Sequence, residues 1–245
     1  MQKQEYDNFK DNDTTHWWFQ GMSRIALVLV QRFSVSPKNL CILDAGCGTG
    51  WFSAKINRFG TVYAVDIEEE ALAICRSRGV ANTVRADVNS LPFPDNFFDM
   101  IVSLDVIYHQ YIPSDSRVMK EFARTLKPNG RLMVSVAAHE YLRGPHDEVN
   151  MTRHRYSRKE LEQLFADAGI QVERSTYANF FLFPFVYLKR RIDQLFPPLV
   201  SRSDIKRVSR GMNNLFYLIL TIESVLIRHV SLPQGSTVFC IGIKK

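Results

Sequence analysis

From residue 40 onward, short apolar runs alternate with segments of helical composition, and this alternation restricts the fold more than any other feature of the chain. The runs are "LCILDAG", "TVYAVDI", "NTVRAD", "FFDMIVSLD" and "RLMVSVAA"; between them lie segments such as "EEEALAICRSRG" and "DSRVMKEFARTLKPNG". Strand and helix in strict alternation imply an α/β fold, a parallel sheet covered on both faces. "LKPNG" predicts a helix stop, because Pro128 cannot continue a helix and Asn129-Gly130 suits a turn into the next strand. Ser157, three residues before Glu160, has capping-box spacing and predicts a helix leading into the strand "QVERSTY". A chain of 245 residues buries a full core, most simply as one large domain with additions.

The first run ends in "LDAGCGTG". A dinucleotide fingerprint, G-x-G-x-x-G, needs glycine at position 51, which is Trp51. The glycines here are Gly46, Gly48 and Gly50, and they let the backbone bend sharply and approach a ligand closely because no Cβ intervenes. The next strand ends in Asp66, a carboxylate placed to accept both hydroxyls of an unphosphorylated ribose. Alone, the glycine spacing fits a plain turn equally well; with Asp66 at the right distance it points to an adenosine without a 2′-phosphate.

"LDAGCGTG", "VYAVDIEEEAL", "RADVNSLPFPDNFFDMIVSLDVIYH" and "LKPNGRLMVSV" together resemble the successive motifs of class I S-adenosylmethionine-dependent methyltransferases, in the type 11, quinone-biosynthesis-methylase-like branch. The resemblance covers roughly residues 40 to 178, with a final strand at the C-terminus. It implies a doubly wound, seven-stranded, mostly parallel sheet whose last strand, "STVFCIGIKK", is antiparallel. It also implies S-adenosylmethionine as cofactor and S-adenosylhomocysteine as product. Asp44, Gly46, Cys47, Gly48 and Gly50 would cradle the methionine part and ribose, Asp66 would hold the ribose hydroxyls, and Ile67 would pack on the adenine. Asp87 would accept from the adenine amino group beside the amide of Val88, and Leu104 and Asp105 would line the methionine end.

The expected organisation is an N-terminal helical lid (1–39), the cofactor-binding core (40–178), a helical, basic and aromatic cap (179–235) and the last strand (236–245). Such a fold ordinarily joins its last two strands by a hairpin; here 57 residues intervene, with eight basic residues (Lys189, Arg190, Arg191, Arg202, Lys206, Arg207, Arg210, Arg228) against three acidic ones (Asp193, Asp204, Glu223). This insertion therefore holds +5 of the chain's net +6. Neither "NFFLFPFVYLKRRIDQLFPPLV" nor "MNNLFYLILTIESVLIRHV", an apolar helix interrupted by Glu223 and Arg228, offers the roughly 20 uninterrupted apolar residues of a spanning helix. Apolar segments beside Lys and Arg suit a helix lying in an anionic membrane interface, and equally a pair packed on the sheet edge or on a second subunit.

Methyl transfer depends largely on alignment, and a hydroxyl or phenol acceptor needs a base within hydrogen-bond reach. The candidate bases are His146, His109 and His139, all after strands four and five at the carboxyl edge, where open α/β sheets gather active-site residues. Asp147 or Glu148 could orient His146. His16 and His229 sit in helical segments and are set aside. His154-Arg155-Tyr156 suits an anionic substrate group, or a solvated loop. Trp17, Trp18, Tyr108, Arg155 and Tyr156 are the candidate acceptor contacts.

"HWWFQGMSRIALVLVQRF" predicts a helix stopped by Pro37, acting as a hydrophobic clasp or a lid. "HWWF" and "HDEVNMTRHRYSRKEL" also resemble bacterial methyltransferases of cell-envelope polysaccharide and lipid-linked pathways. The polar N-terminus shows no secretory signal, which predicts a cytoplasmic protein, in reach of the inner membrane surface. Cys41, Cys47, Cys75 and Cys240 lack disulfide or metal spacing, and no metal site is expected. A pI near 9.2 suggests nucleic acid, but "SLDVIYH" stands where a base methylase carries an "NPPY"-type tetrapeptide, so none is expected as partner. The expected function is methylation of a small-molecule or lipid-linked acceptor at oxygen or carbon. The alternative is a methyltransferase-like fold that binds the cofactor without transferring methyl.

Overall fold

A computed structural model describes residues 12–34, 39–196 and 208–245. The expected stop at Pro37, the polar N-terminus before residue 12, and Arg202, Asp204, Lys206 and Arg207 of the insertion lie outside the described residues.

In chain order the elements are α1 (Trp17–Phe33), β1 (Leu40–Ala45), α2 (Trp51–Ile56), β2 (Gly60–Asp66), α3 (Glu69–Ser77), β3 (Asn82–Arg85), β4 (Phe98–Leu104), α4 (Asp115–Thr125) and β5 (Leu126–Ala137). There follow α5 (Pro145–Val149), α6 (Arg158–Asp167), β6 (Ile170–Ala178), α7 (Phe183–Leu195), α8 (Arg210–Ile227) and β7 (Thr237–Lys244). The strands form one seven-stranded sheet in the order β3-β2-β1-β4-β5-β7-β6, parallel except that β7 runs antiparallel to both β5 and β6. The order reverses between β1 and β4, so their carboxyl ends flank the crevice in which open α/β sheets bind ligands.

One face of the sheet packs Val118, Met119 and Phe122 of α4 and Leu161 and Phe165 of α6 against alternate strand residues such as Leu43, Ile101 and Val134. The other face takes Ile25, Ala26, Leu29 and Val30 of α1, Phe52 and Ile56 of α2, and Leu220 and Ile227 of α8, over Ile42, Met100 and Phe239. The two faces bury alternate residues of the same strands, the period-2 geometry of a covered sheet.

The capping box forms as its spacing implies: Ser157 Oγ accepts from the Glu160 amide, and Glu160 accepts from the Ser157 amide at 2.6 Å. The helix stop differs. α4 ends at Thr125, whose hydroxyl bonds back to the Glu121 and Phe122 carbonyls, and "LKPNG" already belongs to β5. Asn129 at φ 63° lies where the β4–β5 register shifts, so Pro128-Asn129-Gly130 makes a bulge in the strand, not a turn before it.

Tertiary packing also changes the reading of both helical additions. α1 is a core element, not a mobile cover: Ile25, Ala26, Leu29 and Val30 are fully buried. His16 is not inside the helix but caps it, accepting from the Trp18 amide. Gly21 lets α8 approach, since a Cβ there would lie 2.3 Å from Leu220 Cδ1. Asn213 of α8 accepts from the Trp17 amide at 2.9 Å and donates to the Thr15 carbonyl at 3.0 Å. Glu223 does not break an exposed apolar surface. It is fully buried and accepts from the backbone amides of Asn179, Phe180 and Phe181, which turns the chain out of β6.

Candidate active site

The glycine-rich turn closes over the end of β2. The amides of Gly46 and Cys47 both donate to the Val65 carbonyl, at 2.8 and 2.9 Å, and the Gly48 amide donates to Asp66 Oδ2 at 2.8 Å. Gly46, Gly48 and Gly50 all adopt positive φ, 81°, 52° and 74°, where a side chain is strained. A Cβ on Gly46 would strike Val106 at 2.3 Å, so this glycine lets the turns after β1 and β4 meet; the Cβ position of Gly48 has nothing within 4 Å and faces open space. Cys47 and Cys75 are free thiols, and Cys75 packs under Gly50.

Two carboxylates lie beneath the turn. Asp44 is buried, accepts from Ser53 Oγ at 2.5 Å, and is pushed up to about 6 by burial, against the Ser53 hydrogen bond. Asp66 is also raised by burial, partly offset by the amides of Glu68 and Gly48. A turn with an open glycine above two buried carboxylates suits a ligand with both hydroxyls and positive charge, which S-adenosylmethionine has. Ile67 next to Asp66 is 52% exposed, an apolar surface at the crevice. Asp87 accepts from both the amide and the side chain of Asn89, shaping the turn after β3, while Val88 is in the core. Leu104 packs against the core, and Asp105, at φ 58°, ends β4 with its amide on the Ser135 carbonyl. Burial pushes the Asp105 carboxyl up to about 6, opposed by Ser135 and Arg155.

The three histidines sit in different settings. His109 is pressed down to about 4 by burial, and its Nδ1 is buried without a hydrogen-bond partner. His139 lies between two tyrosine rings, stacked on Tyr141 at 4.7 Å and on Tyr177 at 4.8 Å; its Nε2 is buried without a hydrogen bond, and burial lowers its pKa. His146 Nε2 is 2.8 Å from Asn150 Nδ2. Of the two expected orienting partners of His146, Asp147 is committed elsewhere, because it accepts from the Gly144 amide and holds Arg155 at 2.8 Å.

The expected anion-binding triplet is likewise turned toward protein carboxylates. Arg155 is buried on Asp147 and the Ala138 carbonyl, Tyr156 donates to Asp115 at 2.5 Å, and His154 stands 3.3 Å from Glu160. Arg155 therefore props the loop after β5, and Tyr156 is a core residue. Trp17 packs on Phe216 of α8 at 5.1 Å and edge-on against Trp18, and both tryptophans are half-buried. Tyr108 is buried near Asp105 and Arg155, and burial holds its phenol protonated.

Two features escape sequence reading. Asp13 reaches the turn from the N-terminal segment: it accepts from Thr49 Oγ1 at 2.6 Å and pairs with Arg78. An aromatic cleft of about 350 Å³ lies among Tyr141, Phe183, Tyr187, Arg191 and Gln234. The spacing of Phe183, Tyr187 and Arg191 four residues apart was the available signal. No grouping of three or more His, Cys, Asp or Glu side chains suited to a metal occurs among the described residues.

The Methyltransferase domain family matches residues 43–134. Malonyl-[acyl-carrier protein] O-methyltransferase of Buchnera aphidicola is 38% identical over 103 residues, 41% of each chain. The probable tRNA methyltransferase 9B of Homo sapiens is 32% identical over 171 residues, 69% of this chain and 37% of that protein. The chain thus spans less than half the length of these curated relatives. A solved S-adenosylmethionine-dependent methyltransferase of Thermotoga maritima, described as a possible histamine N-methyltransferase, superposes with a TM-score of 0.63 over 99% of this chain and 96% of that one, at 18% identity, a likeness of fold. With the matched motifs on the carboxyl edge of a seven-stranded sheet of this order, the chain carries a class I S-adenosylmethionine-dependent methyltransferase domain.

Proposed function

We propose that this protein transfers a methyl group from S-adenosylmethionine to oxygen or carbon of a small-molecule or lipid-linked acceptor, with a histidine of the carboxyl edge as base. The observation that carries the reading is the positive-φ glycine turn tied to Asp66 at the β1–β4 switch point. Bound there, the cofactor supplies an electrophilic methyl on a sulfonium. Gly46, Cys47, Gly48 and Gly50 cradle its methionine and ribose parts, Asp66 takes the ribose hydroxyls, Ile67 and Val88 flank the adenine with Asp87, and Asp44, Leu104 and Asp105 face the charged end.

Of the three candidate bases we assign the role to His139. Burial lowers its pKa and so favours the neutral ring, one ring nitrogen lacks a partner, and the neighbouring aromatic rings suit an apolar acceptor. A neutral imidazole can take the proton of a hydroxyl as it attacks. His109 is the second choice: burial presses its pKa down to about 4, which makes it a weak base.

A lipid-linked acceptor would be met at the cytoplasmic face of a membrane. No helix among the described residues is long and apolar enough to cross one. α7 instead exposes Phe185, Leu188, Ile192 and Leu195 beside Lys189 and Arg191, and α8 exposes Leu215, Leu218, Ile222 and Val225 near Arg228, a pattern suited to lying in an anionic interface.

The test is calorimetric titration with S-adenosylmethionine, followed by transfer of its labelled methyl to quinols, to envelope lipids and, separately, to tRNA. Label in a quinol or lipid is expected. Label in tRNA alone would replace the acceptor class. Cofactor binding without label in any fraction of a whole-cell extract would favour binding without transfer.

A further inference from the structure

The carboxyl edge carries a second concavity besides the glycine turn. β5 ends at Ala137 and β6 at Ala178, each paired with Thr237 at the start of β7, so the segments that follow β5 and β6 and precede β7 emerge together. They supply Tyr141, then Phe183, Tyr187 and Arg191 of α7, and Gln234, which line an open cleft of about 350 Å³. That volume fits a small ligand of one or two rings.

The walls are held by their neighbours. Tyr141 stacks on His139 and accepts from Gln234 Nε2 at 3.1 Å, and Tyr187 stands edge-on to Tyr141 at 6.0 Å. Gln194 donates to the carbonyls of Tyr141 and Arg143, both at 3.1 Å, and accepts from Arg191 Nη1 at 3.2 Å. The Arg191 guanidinium lies over the Tyr187 ring, 5.0 Å from its centre. The basic triplet of α7 is therefore divided by environment: Lys189 pairs with Asp193, Arg190 is buried, and Arg191 is held by a neutral amide and a ring face, with no carboxylate partner among the described residues. A guanidinium so held, with no carboxylate partner among the described residues, at the mouth of an aromatic cleft has the chemistry of an anion receptor.

We propose that this cleft binds a planar apolar ligand bearing one anionic group, a carboxylate or phosphate, with the rings between Tyr141, Phe183 and Tyr187 and the anion on Arg191. The assignment rests on the acceptor reading above and names the acceptor's class. α7 then has two roles: the Phe183, Tyr187, Arg191 face walls the cleft, while Phe185, Leu188 and Ile192 face solvent.

The test is fluorescence titration of the full chain with 1-naphthyl phosphate and with neutral 1-naphthol, for wild type, Arg191→Gln, Tyr187→Ala and the control Lys189→Gln. Circular dichroism confirms that each variant is folded, and S-adenosylhomocysteine binding is measured on the same samples. Arg191→Gln is expected to weaken naphthyl phosphate binding by about tenfold or more, the scale of a lost charge-assisted hydrogen bond, and to leave naphthol within about twofold. Tyr187→Ala should weaken both, and Lys189→Gln neither. Equal affinity of wild type and Arg191→Gln for naphthyl phosphate, or no saturable binding by wild type, overturns the site. Saturable cleft binding with no affinity for S-adenosylhomocysteine would keep the site and remove the methyl-transfer reading; the reverse result would do the opposite.

Discussion

Asp13 and Arg78, 65 residues apart, form a two-pronged ion pair, with Arg78 Nη1 2.6 Å and Nη2 3.0 Å from the two carboxylate oxygens. Both also bind Thr49 Oγ1, inside the glycine-rich turn, so the segment before α1 is clamped to the turn that the cofactor would occupy. Asp13 is almost fully buried, and removing one member leaves the other's charge uncompensated. Asp13→Ala is expected to lower unfolding free energy by about 3 kcal/mol in urea titrations and to weaken S-adenosylmethionine binding. A stability loss with unchanged cofactor affinity would make the clamp purely structural.

Asp66 anchors the other side of the turn through the Gly48 amide. Asp66→Ala should weaken S-adenosylmethionine binding by about 2 kcal/mol or more, the scale for hydrogen bonds to a charged group. Calorimetry giving wild-type affinity would remove Asp66 from the ribose site.

Asp44 is raised to about 6. A folded pKa above the unfolded one adds stability at low pH that is lost as pH rises through the folded value, so ionised Asp44 is a cost to the ligand-free fold. A cationic ligand beside it reverses the preference and favours the ionised form. Affinity for S-adenosylmethionine should therefore fall about tenfold from about pH 7 to about pH 5. S-adenosylhomocysteine, lacking the sulfonium charge, should fall less, and Asp44→Asn should flatten the difference between the two. Parallel pH profiles for both ligands in wild type would exclude Asp44 from the charged end.

His139→Ala should reduce turnover on the true acceptor by about a hundredfold, the scale of a lost general base, with cofactor affinity changed by no more than about twofold. His109→Ala and His146→Ala are the comparisons. If the largest loss falls on either of these, the base is reassigned; if none of the three slows turnover, alignment alone carries the reaction.

Attachment of α7 and α8 to an anionic membrane predicts co-sedimentation with liposomes containing anionic lipid, weakening as salt screens the attraction. Changing Leu188 and Ile192 together to Ser should reduce binding at all salt concentrations, whereas Lys189→Gln with Arg228→Gln should reduce it chiefly at low salt. Negligible sedimentation of wild type with and without anionic lipid would leave these faces to a protein contact.

Local pattern alone determined the α/β class, the strand and helix sequence from residue 40, the glycine turn with Asp66 after it, the Ser157 cap and the presence of a last strand, whose antiparallel direction the family resemblance implied. Each follows from periodicity or backbone preference within a few residues, where sequence neighbours are also spatial neighbours. Tertiary structure decided which charges are spent inside the protein. Arg155 is consumed by Asp147, Glu223 by three amides 42 to 44 residues away, and Asp13 by Arg78, so an expected anion site became a strut and a helix interruption became a buried anchor. It also placed His139 between Tyr141 and Tyr177 and left Arg191, alone of its triplet, facing a cleft. Burial sets the cost of leaving a polar group without a partner, and burial depends on contacts between distant segments that no local pattern contains.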